Sequence, residues 1–133
     1  MAKDSVLGMS VSALQMMLRK RSVSSVELTE AFIERIAAAN ESLNAVVTVC
    51  AEQALEQAQE ADAALGRGEY RSLTGMPILH KDIFCTRGVR TTCGSKMLED
   101  FVPAYDATVV TKMKAEGAIM LGKCNMDEFA MGS

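Results

Sequence analysis

The stretch TGMPILHKDIF, residues Thr74–Phe84, predicts a buried strand that ends in polar side chains. Pro77 fits the first position of that strand, where a missing N–H group is tolerated, and the apolar run after it favours a β conformation. Because neighbouring side chains on a strand point to opposite faces, Lys81 should face one way while His80 and Asp82 share the other. The three polar residues therefore cannot form one compact triad.

Helix and strand patterns alternate on both sides of this stretch. Ser10 precedes a short helical stripe, and the sequence from Ser24 to Glu27 is a capping box that opens a second helix running to Asn40. The other predicted elements are a strand within Leu43–Cys50, a helix over Ala51–Leu65, a helix capped by Asp106 and closed by Gly117, and a buried strand at Ala118–Leu121.

This alternation predicts an α/β sheet domain preceded by a helical hairpin. Residues 1–42 would form the helical segment and residues 43–133 the start of the sheet core of a single domain. The sequence from Asn125 onward follows a strand without a closing helix, and a bare strand edge or face is costly. We therefore expect the chain to be the truncated N-terminal portion of a larger domain.

Composition narrows the function classes. The chain has 133 residues, of which 49% are apolar, and a net charge of −3 without a basic stripe, so direct nucleic-acid binding is not expected. The N-terminus lacks a signal-peptide pattern and no apolar run is long enough to cross a bilayer, which favours a cytoplasmic protein without membrane contact. Four cysteines without a Cys-x-x-Cys pair, and one histidine, make a zinc site unfavourable, so no metal is expected.

Lys81 has two interpretations. After Ile78 and Leu79 its amine could be partly desolvated, which favours the neutral form and would make it a general base for a hydroxyl nucleophile. Alternatively, it is a strand-end lysine whose ammonium extends to solvent. Strand context alone favours the second interpretation.

His80 and Asp82 are more readily explained as structural residues. His80 could act as a base for Cys85 or Cys93 in a cysteine hydrolase, but Cys85 lies five residues on and would face the other way if the strand continued. Asp82 could pair with Arg87 or Arg90 and order the following loop, or it could simply be an acidic residue at the end of the strand. That loop matches neither common phosphate-binding glycine motif, so no cofactor is expected in this chain.

Two longer stretches carry a family resemblance. "LTGMPILHKDIFCTRGVRTTCGSKMLEDF" and "YDATVVTKMKAEGAIMLGKCNMDEFAMGS" resemble the start of the amidase signature family, and "SSVELTEAFIERIAAANESLNAVVTV" also fits. The segments "HKDIFCT" and "GKCNMDEFAMGS" most closely resemble the A subunits of glutamyl-tRNA(Gln)/aspartyl-tRNA(Asn) amidotransferases within that family. The resemblance covers nearly the whole chain.

The resemblance implies a fold and a site. The fold would be the N-terminal part of an α/β/α layered domain around a mixed sheet. The family's Ser–cis-Ser–Lys triad would place its lysine, the general base, at Lys81, whereas the nucleophile and the cis-serine would lie beyond this chain. Ala130, Met131 and Gly132 would line the substrate pocket.

The resemblance also implies a reaction and partners. The full-length protein would hydrolyse glutamine and supply ammonia for the amidation of misacylated Glu-tRNA(Gln) or Asp-tRNA(Asn). It would work with the B and C subunits of the amidotransferase, and the B subunit would handle the tRNA, ATP and Mg²⁺. The 133-residue chain alone would be inactive. The alternatives are a free-standing amidase of the same family and a non-catalytic assembly fragment.

Overall fold

A computed structural model describes residues 5–132 of the chain. Four α-helices and three strands occur in this part. In chain order they are α1 (Val11–Arg19), α2 (Ser25–Leu43), β1 (Val46–Val49), α3 (Ala51–Gly66), β2 (Pro77–Lys81), α4 (Thr108–Ala115) and β3 (Ile119–Cys124). The predicted α/β class is confirmed.

The first two helices begin where their capping residues predict. The side chain of Ser10 accepts a hydrogen bond from the backbone N–H of Ala13, 3.3 Å away. Ser24 and Glu27 form the complete capping box, with each side chain accepting from the other residue's backbone N–H. Helix α2 continues past the predicted end and stops at Asn44, whose φ of 47° is left-handed.

The strands form a mixed sheet in the order β1-β3-β2. β1 is antiparallel to the central strand β3, and β2 is parallel to it. Apolar residues of α2 and α3 pack on one face of this sheet. That core contains Ala54, Ala61, Ile119 and Leu121, with Phe32, Ile33, Ile36 and Leu79 packed against it.

A bulge in β3 changes which side chains share a face. Ile78 pairs with Met120 and Leu79 pairs with Gly122, so Leu121 is an extra residue in β3. Paired residues point to the same face of a sheet, and the extra residue therefore reverses the alternation of β3 after Leu121. Lys123 consequently does not share the helix-covered face of Leu121.

A second core joins α1 to the rest of the domain. It lies between α1, α2, α3 and the segment that leads into β2. Its buried members are Val6, Leu14, Leu18, Val23, Leu28, Ala31, Leu65 and Met76. The N-terminal helices and the sheet are therefore parts of one packed unit.

The predicted end of β2 and the predicted cap of α4 are wrong. β2 ends at Lys81, and a turn replaces the predicted strand over the next three residues because Phe84 N–H bonds back to the carbonyl of Lys81. Asp106 does not cap α4, whose N-cap is Ala107. Asp106 instead accepts from the backbone N–H of Arg87 and pairs with Lys114, so it joins the loop to the helix.

No helix within residues 5–132 is long and apolar enough to cross a membrane.

Candidate functional site

Lys81 lies at the carboxyl end of the parallel pair of strands. It is the last residue of β2 and pairs with Cys124, the last residue of β3. It shares the face of Leu79, and its side chain is exposed. Carboxyl ends of parallel strands are the usual place for active sites in α/β sheets. The exposed side chain agrees with the interpretation that strand context favours, a strand-end lysine that extends to solvent.

His80 and Asp82 are both buried. His80 lies on the face of β2 opposite Lys81, as strand alternation predicts, and Asp82 lies in the turn that follows the strand. Asp82 is held through both its backbone and its carboxylate. Its N–H donates to the carbonyl of Cys124 at 3.1 Å, and its carbonyl accepts from the N–H of Cys93 at 3.0 Å. One carboxylate oxygen, Oδ2, accepts from the N–H of Thr92 at 3.0 Å and from the Thr92 hydroxyl. The residue that follows Lys81 is therefore tied to both β3 and the next loop.

The second carboxylate oxygen of Asp82 faces a buried lysine. The Nζ atom of Lys123 lies 3.5 Å from Oδ1 of Asp82, and both side chains are 0% exposed. The same Nζ donates to the carbonyl of Phe84 and to Oγ1 of Thr91, each at 2.8 Å. Burial lowers the pKa of Lys123 from its usual value, and the negative charge of Asp82 opposes that shift.

The partner of Asp82 differs from the predicted one. Among the described residues the ion-pair partner of Asp82 is Lys123, and the guanidinium of Arg90 instead donates to the carbonyls of Val47 and Glu99, at 3.1 and 3.3 Å. Sequence reasoning missed Lys123 altogether. The available signal was a lysine near the end of the otherwise uncharged β3, where a charged residue is rarely buried without a partner.

The proposed cysteine–histidine pair receives no geometric support. The strand ends before Cys85, so the alternation argument does not extend to it, and its Sγ atom lies 3.5 Å from the hydroxyl of Tyr105. Within residues 5–132, no hydrogen bond joins the imidazole of His80 to a thiol of Cys85 or Cys93. All four cysteines are free.

His80 predicts a pH dependence of stability. Burial lowers the pKa of His80 below its ordinary value of 6.5, and the nearby charges of Lys123 and Lys114 add to that effect while Asp106 opposes it. The unfolded chain therefore binds the proton at higher pH than the folded chain does. We expect the contribution of His80 to the free energy of unfolding to be fully present above pH 6.5 and to decrease as the pH drops below that value. The slope should be at most about 1.4 kcal/mol per pH unit.

Urea titrations between about pH 7.5 and 5.5 measure this dependence, in a range where carboxylates contribute little. His80→Gln keeps a polar side chain but cannot titrate, so the difference in slope between the two chains isolates the imidazole. Equal slopes in the two chains would contradict the prediction.

The loop after Asp82 also anchors the C-terminal segment. The carbonyl of Cys93 accepts from the N–H of Phe129 at 2.9 Å, and the Ser95 hydroxyl bonds the carboxylate of Glu128 at 2.6 Å. Gly94 has a φ of 66°, and an added Cβ would lie only 2.6 Å from the carbonyl oxygen of Met126. Close contact between the loop and this segment therefore requires glycine.

The predicted pocket residues follow this anchored segment. Ala130, Met131 and Gly132 are exposed, and the N–H of Gly132 bonds the carboxylate of Asp127 at 2.7 Å. An open cleft of about 350 Å³ lies nearby, between the loop and β1, but it is lined by none of these three residues and not by Lys81. Within residues 5–132, no three His, Cys, Asp or Glu side chains are grouped so as to hold a metal ion.

A sequence model of the family described as Amidase matches residues 27–133, which is well over half of the chain. This chain belongs to the amidase family. Its relatives in sequence are named as the A subunit of glutamyl-tRNA(Gln) amidotransferase. The proteins of Thioalkalivibrio sulfidiphilus and Nitrosococcus oceani are 61% and 56% identical over 124 residues, which is 93% of this chain. This chain spans only 26% of the length of either relative.

Solved amidases have the same fold over this part. The native peptide amidase of Stenotrophomonas maltophilia superimposes with a TM-score of 0.87 at 34% identity, covering 93% of this chain and 26% of that one. A bacterial aryl acylamidase of the amidase signature family has a TM-score of 0.82 at 26% identity, with 91% and 26% covered. The predicted amidase-signature fold is therefore confirmed.

Proposed function

We propose that this chain is part of the glutamine-hydrolysing component of an amidotransferase, with Lys81 as the general base of its Ser–cis-Ser–Lys triad. The observation that carries the proposal is the position of Lys81 at the carboxyl edge of two parallel strands. There the side chain is exposed while the next residue, Asp82, is fixed in the interior. The high identity to relatives named as amidotransferase A subunits favours glutamine as the substrate.

The proposed chemistry needs residues beyond this chain. The hydroxyl of the nucleophilic serine attacks the side-chain amide carbon of glutamine, and its proton passes through the cis-serine to the neutral amine of Lys81. The C–N bond then breaks, and the leaving nitrogen takes a proton and departs as ammonia. Water hydrolyses the resulting ester to glutamate. The full-length subunit is a protein of the relatives' length that contains this chain. In it, other segments would cover Lys81 and desolvate its amine.

The ammonia would be consumed in a complex. The relatives' name is that of one component of a multi-subunit amidotransferase for glutamyl-tRNA(Gln), which supports B and C subunits as partners of this protein. The B subunit would hold the misacylated tRNA, ATP and Mg²⁺, because the chain has a net charge of −3 and no phosphate-binding glycine loop. Such a complex would be cytoplasmic. The 133-residue chain alone would have no activity.

A free-standing amidase is the second candidate. The similarity to a peptide amidase and to an aryl acylamidase favours it, since neither name refers to an amidotransferase. The two candidates differ in what the full-length protein needs. A free-standing amidase would hydrolyse simple amides without partner subunits and would not make Gln-tRNA or Asn-tRNA.

The test is transamidation by the full-length subunit purified with its partner subunits. We expect Glu-tRNA(Gln) or Asp-tRNA(Asn) to be amidated in the presence of ATP, Mg²⁺ and glutamine. With Lys81→Ala, amidation should stop with glutamine as the donor but continue with ammonium chloride, because only the hydrolysis of glutamine uses this residue. Amide hydrolysis without any tRNA product would contradict the amidotransferase proposal and favour the second candidate.

A further inference from the structure

The side chain of Lys123 carries a fully buried ammonium group. Its ammonium contacts three points of the segment after β2, namely Asp82, Phe84 and Thr91, at 3.5, 2.8 and 2.8 Å. Burying an ion pair often stabilises a fold no more than apolar residues of similar volume would. Fold stability alone therefore gives a weak reason for a lysine at this position.

The contacts of Lys123 converge on the residues next to Lys81. Asp82 follows Lys81 directly, and the carbonyl of Phe84 belongs to the residue whose N–H bonds back to Lys81 and closes the turn. Oδ1 of Asp82 accepts no hydrogen bond within the part of the chain that the structure describes. The positive charge of Lys123 is therefore the interaction that stabilises the buried negative charge at this oxygen. Without that charge, a buried carboxylate would be drawn toward water and would carry its neighbour with it.

We propose that Lys123 is a positioning residue for Lys81. Its ammonium fixes Asp82 and the turn that ends at Phe84, and this holds the backbone of Lys81 at one place on the sheet edge. Lys123 takes no part in proton transfer, because its Nζ atom is buried on the opposite face and is engaged by protein acceptors. The inference rests on the proposed function of Lys81.

The first test is Lys123→Met in the full-length subunit purified with its partners. Methionine has a similar length and suits a buried site but cannot hold the turn. We expect kcat for ammonia release from glutamine to fall by about 100-fold, because a small displacement of a catalytic group has an effect of this size. KM should change by less than about threefold, since glutamine does not contact the pair. The matched control is Lys112→Met, an exposed lysine on α4, which should change neither constant.

The double variant Lys123→Met/Asp82→Asn separates positioning from stability. It removes both charges, so the melting temperature should recover most of what Lys123→Met loses, while kcat stays low because the contacts with Phe84 and Thr91 are still absent. Wild-type kcat in either folded variant would overturn the inference. If Lys123→Met does not fold, the double variant decides the question.

Failure of the proposed function has a different result. A wild-type complex without glutaminase activity would remove the proposed function, and a Lys81→Ala complex that keeps this activity would remove the base assignment. Either result would remove this inference as well. If the Lys81→Ala complex has no glutaminase activity while the Lys123→Met complex has wild-type activity, only the positioning role of Lys123 is refuted.

Discussion

Lys81→Ala in the full-length subunit is expected to lower kcat for glutamine hydrolysis by about 10³- to 10⁴-fold. Removing a general base that activates a nucleophile has effects of this size. In the 133-residue chain the fold should be almost unaffected, because there the side chain is exposed and a surface substitution usually changes the free energy of unfolding by less than about 0.5 kcal/mol. Steady-state ammonia release by the full-length subunit measures the first effect, and a urea titration of the 133-residue chain measures the second.

Lys81→Arg distinguishes a base from a simple positive charge. Arginine stays protonated and cannot accept a proton, so this variant should be as inactive as Lys81→Ala. Lys112→Ala, which removes an exposed lysine on α4, should keep full activity. Near wild-type hydrolysis by Lys81→Ala would refute the assignment, and activity in Lys81→Arg alone would show that charge rather than proton transfer is required.

Gly122→Ala should cause the largest loss of stability of any conservative change in the sheet. Gly122 lies in the central strand β3, and an added Cβ would overlap the backbone carbonyl oxygen of Thr48 in β1. It would also lie 3.2 Å from Cα of Val49. Backbone atoms cannot rotate away as a side chain can, so the pairing of β1 with β3 must open. We expect a loss of about 3 kcal/mol in the free energy of unfolding, measured by urea titration of the 133-residue chain.

Gly8→Ala is the matched control for this change. A Cβ at Gly8 meets no atom within 4 Å, and its φ is not in the left-handed region. The same chemical change should therefore alter the free energy of unfolding by less than about 0.5 kcal/mol. A loss below about 1 kcal/mol in Gly122→Ala would show that β1 adapts easily to the extra methyl group.

Local signals in the sequence were sufficient to predict most helices and the faces of β2. The capping box at Ser24 begins α2 as predicted, and strand alternation correctly separates Lys81 from His80. These features depend on neighbouring residues only. A pattern read along one segment contains that information, which is why both predictions are confirmed.

The features that the sequence did not predict depend on contacts between distant segments. The bulge at Leu121 arises from the pairing of β3 with β2, and it turns Lys123 to the face of the buried pair. The partner of Asp82 is likewise 41 residues away in sequence, by the difference of the two residue numbers, whereas the predicted arginines were near neighbours. Periodicity within one strand cannot show a bulge, and proximity in sequence favours the wrong ion pair.

Asp106 illustrates a related error. An aspartate before a helical stripe is a common N-cap, and the sequence therefore predicts that it caps α4. In the structure its carboxylate instead accepts hydrogen bonds from the backbone N–H of Arg87 and from the ammonium of Lys114. Competition from a distant loop overrides a local preference at this position.

The most direct test of the central claim is ammonia release from glutamine by two chains prepared in parallel. One is the 133-residue chain, and the other is the same chain extended to the length of the relatives that it matches at 61% and 56% identity. The account predicts hydrolysis by the extended chain alone, and loss of that activity in its Lys81→Ala variant. Hydrolysis by the 133-residue chain would contradict the account, because a nucleophile would then lie within the chain itself.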